Sequence, residues 1–154
     1  MPYRRTFLSV AFLCVVAQAS ALAQQPTPQD FYGFLLFHRA LSHEITTRAA
    51  AGLASAERLE NTAIARYGVS HDDFTRISAS IEPVFARLKA IDQEAMAYKA
   101  TAGANPNVTI LQALYSRRLA VLSQSMEALR NNMSPTSWAA LTAYINSTLR
   151  IHRR

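Results

Sequence analysis

From Phe74 to Tyr98 the apolar residues fall at Phe74, Ile77, Ile81, Val84, Leu88, Ile91, Ala95 and Tyr98, in alternating steps of three and four. That spacing puts all of them on one stripe of an α-helix. So narrow a stripe is a seam, and a seam must be covered by another helix. The segment Leu111 to Leu129 supplies a cover, with its own stripe of Tyr115, Leu119, Leu122, Met126 and Leu129. Thr101-Ala102-Gly103-Ala104-Asn105-Pro106 lies between them and leaves room only for an antiparallel return. The expectation is a long helical hairpin, over about residues 71–100 and 107–131.

Helix punctuation organises the rest. Thr27 is a cap and Pro28 a first helical residue, with Asp30 close to the positive helix end. The helix they open carries Phe31, Phe34, Leu35, His38, Leu41 and Ile45 and runs to about Ala50. A shorter one follows from about Ala56 to Tyr67, with Ser55 as its cap and Gly68 as its stop. Val69-Ser70-His71-Asp72-Asp73-Phe74 opens the long helix, and Met133-Ser134-Pro135-Thr136-Ser137-Trp138 opens the last. In both, serine caps, and the apolar residue before it can staple onto the aromatic four positions after it. The likeness continues inward, pairing Ile77 with Leu141, Ala79 with Ala143 and Ile81 with Ile145. Pro83 interrupts one backbone hydrogen bond inside the long helix, which predicts a bend and a hairpin concave on one side. The fold class is all-α, with four to five helices.

The chain divides into residues 1–23, read as a signal peptide, and 24–154, a single helical domain. Arg4 and Arg5 precede an apolar run from Phe7 to Val16, and Ala21-Leu22-Ala23 offers the small-x-small pattern cut after Ala23. The run is shorter than the roughly 20 residues that span a bilayer. Arg4-Arg5-Thr6-Phe7-Leu8 is similar to the twin-arginine signal, but the strongly apolar run favours the secretory route. Cleavage removes Cys14, the only cysteine, so disulfide and thiol chemistry leave the mature chain. Fourteen of the sixteen Lys and Arg and all ten acids lie after Ala23, leaving a charge of +4. The expected location is periplasmic or secreted. Arg150-Ile151-His152-Arg153-Arg154 is the one dense basic patch; it suits a helix end and offers contact to an anionic membrane surface.

Candidate chemistry is sparse. His38 and His43 are five apart, which puts them on different helix faces, so they make a poor chelating pair. The acids of His71-Asp72-Asp73 serve the helix start, and Glu57 and Glu60 share a face without a nucleophile or an apolar surround. No catalytic, cofactor-binding or metal site is expected, and the chain is not read as an enzyme. Trp138 and Tyr144, near Leu141 and Ile145 in the last helix, fit core packing; exposed, they would form an aromatic grip for a partner.

An exported, cysteine-free helical chain with two serine-capped starts opening on aromatics resembles the Spy/CpxP family. That family carries two Leu-Thr-x-x-Gln motifs at helix starts. Val69-Ser70-His71-Asp72-Asp73 and Met133-Ser134-Pro135-Thr136-Ser137 occupy the comparable places, with Val, Met and Ser for Leu and Thr, and Asp73 and Ser137 for Gln. A nearer likeness is to exported bacterial helical proteins whose last helix has a Ser-Pro-x-Ser-Trp-like start. The Spy/CpxP resemblance implies a periplasmic, dimeric helical cradle that holds unfolded clients or senses metals. The expected function is therefore a non-catalytic exported binding protein, chaperone-like or an envelope-stress factor. A metal-sensing or metal-buffering protein and a purely structural envelope protein are the alternatives. A protein partner or unfolded client, or a second copy in a homodimer, is the expected ligand, and nucleic acid is not.

Overall fold

The computed structural model describes residues 25–149. The segment with the Ala23 cleavage site and the basic tail Arg150–Arg154 lie outside the described residues. Within them the chain forms α1 (Pro28–Ala50), α2 (Ser55–Tyr67), α3 (His71–Ala102), α4 (Val108–Asn132) and α5 (Pro135–Leu149), with no strand.

Each boundary has a local cause. The Asp30 amide donates to Thr27 Oγ1 at 3.2 Å, and the Asp73 amide donates to Ser70 Oγ at 3.1 Å. Gly68 ends α2 at φ +68°, its amide donating to the Ile64 and Ala65 carbonyls. The cap expected at Ser55 is corrected: Ala54 holds the cap position, without a side-chain bond. Its backbone is already right-handed helical (φ −58°, ψ −13°), whereas a serine cap works from an extended conformation, so Ser55 falls inside the first turn. α3 passes through Pro83 as one helix of 32 residues. Because Pro83 has no N–H, the Ala79 carbonyl loses its usual partner inside the helix.

α3 and α4 form the antiparallel hairpin. Arg87 donates to Gln124 at 2.9 Å, and Arg118 and Arg117 bind Asp92 and Glu94 at 3.1 and 2.8 Å, rungs that climb one helix as they descend the other. Phe74, Ile77, Ile81, Val84, Leu88 and Ile91 of the α3 seam are all buried. The α4 face is partly corrected. Leu122, Met126 and Leu129 are buried as expected, but Leu114 and Val121 complete the seam, Leu119 is half-buried, and Tyr115 is 53% exposed. A 3.6-residue helix drifts by about 20° per heptad against a 3.5-residue stripe. Tyr115 turns outward and its hydroxyl accepts from Gln29 Nε2 at 3.1 Å.

α1 lies across one side of this hairpin, running against α3 and with α4. Tyr32 sits 6.0 Å from Phe85 between ring centroids and Arg39 binds Glu82 at 2.8 Å, while the Arg118 guanidinium lies 4.5 Å over the Tyr32 ring. Phe31, Phe34 and Leu35 of α1, Tyr67 of α2, and Leu141 and Ile145 of α5 close one core with the hairpin seam. Burying these side chains at about 1.5–3 kcal/mol each is what holds five helices together without a disulfide.

Candidate functional site

The two helix starts that match in sequence meet in space. Ser134 Oγ donates to Asp73 Oδ2 at 2.9 Å, and the Ser134 amide points to the same oxygen at 3.4 Å. In return the Ser70 amide donates to Ser137 Oγ at 3.2 Å. Each cap also serves its own helix: Ser134 Oγ accepts the Ser137 amide at 3.2 Å, as Ser70 Oγ accepts that of Asp73. In an ordinary capping box the third residue after the cap reaches back to the amide of its own cap. Here those third residues, Asp73 and Ser137, are exchanged between α3 and α5. The stapling residues Val69, Phe74 and Met133 are buried in the same core, with Trp138 packed against it.

Asp73 is 1% exposed, and Arg76 Nη1 donates to its other oxygen at 2.7 Å. Burial pulls this carboxyl upward. Hydrogen bonds from Ser137, Arg76, Ser134 and Ser70 outweigh it and hold the carboxyl well below the usual aspartate range. Two positive helix ends and a guanidinium thus converge on one internal anion.

Next to this joint, on the α3–α4 surface, an open groove of about 530 Å³ passes over Pro83. Small side chains (Ala79, Ser80, Ser125 and Ala128) form its walls, Val84 and Leu129 are buried beneath, and Arg76 and Arg87 stand along it. No Asp or Glu lines it. Arg76 keeps half of its side chain in solvent while holding Asp73. The groove can therefore offer two cations and a shallow apolar floor.

A second polar cluster is internal. His38 is fully buried, its Nδ1 3.1 Å from the Tyr67 hydroxyl and its Nε2 2.9 Å from Ser78 Oγ. Burial lowers the imidazole pKa to about 4 and, with the neighbouring Tyr144, pushes the Tyr67 phenol up. His43 lies apart, exposed on the rim of a groove between α1 and α3. His71 Nε2 pairs with Glu60 at 3.3 Å. Among the described residues no three His, Cys, Asp or Glu gather into a group that could hold a metal ion.

Trp138 and Tyr144 are both half-buried and packed against the core, Tyr144 with its ring 4.9 Å from that of Tyr67. Tyr144 thus lies where α5 meets α2, and neither residue lines the groove over Pro83. Sequence reasoning missed the exchange between Asp73 and Ser137. Its signal was the repeated Ser-x-x-polar start, which shows two similar helix ends but not that they face each other. No helix of the described residues is long and apolar enough to cross a membrane. No family, curated protein or solved structure matches this chain.

Proposed function

We propose that this chain is an exported, non-catalytic binding protein of the cell envelope, chaperone-like or serving envelope stress, and that it holds its partner in the groove over Pro83. The observation that carries the reading is the charge of that groove: Arg76 and Arg87 along an acid-free wall of small side chains. Such a surface fits a segment of another protein that carries carboxylates between short apolar residues. Small walls let the partner backbone come close, and guanidiniums bind carboxylates in two-pronged geometry. The export part of the reading is supported by the basic start, apolar run and Ala23 site of the leader segment.

The test is suppression of aggregation of an unfolded acidic client by sub-stoichiometric purified protein. Protection should weaken several-fold in Arg87→Gln and fall with added salt, because attraction between exposed charges decays over a Debye length of about 10 Å at 0.1 M, which shortens as salt rises. Protection that is absent, or that ignores both the substitution and the salt, counts against this groove.

A further inference from the structure

We propose that His38 is an acid-operated latch: its protonation releases α1 and α2 from the α3–α4 hairpin and exposes the apolar side chains that these two helices cover. This goes beyond the groove reading and does not depend on it.

The geometry is that of a three-helix tie. His38 comes from α1, Tyr67 from α2 and Ser78 from α3, and both imidazole nitrogens are engaged, at 3.1 and 2.9 Å. Around them stand Phe34, Tyr67 and Phe74, with ring centroids 5.7, 5.6 and 5.0 Å from that of His38. A neutral imidazole donates at one nitrogen and accepts at the other, so one of the two hydroxyls donates to it. Protonation makes both nitrogens donors. That hydroxyl must then point its hydrogen elsewhere and accept through its oxygen, and a charge has been placed in a site that water does not reach.

No carboxylate compensates that charge. On α1, Arg39 turns to Glu82 of α3. On α2, Tyr67 is neutral and Arg66 is exposed next to it. On α3, Asp73 is committed to Arg76 and the α5 serines. The α4 arginines 117, 118 and 130 bind Glu94, Asp92 and Glu127. α5 has no charged residue, and Tyr144 reaches only the Tyr67 side of the cluster.

The sign follows. The folded imidazole titrates near 4, below the 6.5 of a free histidine, so its neutral form stabilises the closed state fully above about pH 6.5, and that stabilisation is lost as pH falls through 4. Between pH 7 and 4.5 the closed-to-open ratio should fall on the order of fiftyfold. An exported protein meets the pH of its surroundings, which is where such a latch would act.

The experiment is hydrogen exchange of the purified protein at pH 7 and 4.5, corrected for intrinsic rates, on wild type and His38→Gln. Glutamine stays neutral and keeps both a donor and an acceptor. In wild type the α1 and α2 amides should lose protection in acid before those of α3 and α4, with a rise in binding of a hydrophobic dye. In His38→Gln the acid-induced change should be absent. Equal acid responses in both proteins, or loss of protection in all five helices together, would overturn the latch. If the variant does not fold, an NMR titration of the wild-type imidazole decides: a midpoint near 4 supports the latch, and one near 6.5 overturns it.

Discussion

At the scale of single residues, Trp138 separates packing from binding. It opens α5 at the position where Phe74 opens α3, but Phe74 is 4% exposed and Trp138 is only half-buried. Its indole packs against the core cluster, to which the buried staple residue Met133 also belongs. Trp138→Ala should therefore cost about 2–4 kcal/mol, toward the lower part of the range for truncating a buried aromatic. Urea unfolding followed by circular dichroism would measure it. A variant that keeps its midpoint and loses capture of a partner would instead make Trp138 a binding residue. Arg76 works in two directions, holding Asp73 with one nitrogen while half of its side chain faces the groove. That double duty is why Arg87, which donates to Gln124 and holds no carboxylate among the described residues, is the cleaner probe of binding.

At the scale of elements, the turn between α2 and α3 depends on Gly68. Its φ of +68° is left-handed, and a Cβ there would come within 3.0 Å of Ala140 Cβ on α5. Gly52 shares that φ but has nothing within 4 Å of the same position. A side chain in the left-handed region costs roughly 1–2 kcal/mol, and overpacking adds about 1–3. Gly68→Ala should thus destabilise by about 2–5 kcal/mol and Gly52→Ala by about 1–2, compared by thermal or urea melts. Equal losses would mean that α5 shifts freely away from the turn. The α3 stripe survives Pro83 because the proline is exposed, on the side away from the seam, so the missing hydrogen bond leaves the buried face whole.

At the scale of the whole molecule, the Asp73 joint ties the start of α5 to the start of α3, and its chemistry predicts behaviour in strong acid. The carboxyl titrates lower in the folded chain than the ordinary value of about 3.9. Its stabilisation is therefore complete above that value and is lost as pH falls through the folded one. Asp73→Asn removes the charge that three serines and Arg76 surround, at a cost of about 2–4 kcal/mol at pH 7. The gap between wild type and variant should stay constant from pH 7 to about 5 and close below about pH 4. Denaturant midpoints across that range would check it, and a gap that persists unchanged at pH 2 would remove the carboxylate from the account. This window lies below that of His38, so the two effects separate on one pH axis.

Much of the fold was legible because it is written in short-range rules. The caps Thr27, Ser70 and Ser134, the stop at Gly68 and the α3 stripe act over a few residues, and they set the helices and the hairpin before any partner is known. Local rules misplaced Ser55 and Tyr115, because the incoming turn and the twist of one helix against another decide those positions. Similar starts at Ser70 and Ser134 were readable, but the sharing of Asp73 and Ser137 between them was not. Residues more than sixty positions apart meet there only once α5 has folded back. The same holds for His38, which in sequence is one histidine on a helix and in the structure is a buried tie to Tyr67 and Ser78. By itself the sequence determined which segments are helical and which face of α3 is buried, since periodicity and capping are local. Tertiary structure alone decided which polar groups lose water and with whom they pair, because desolvation depends on every element that closes over the site.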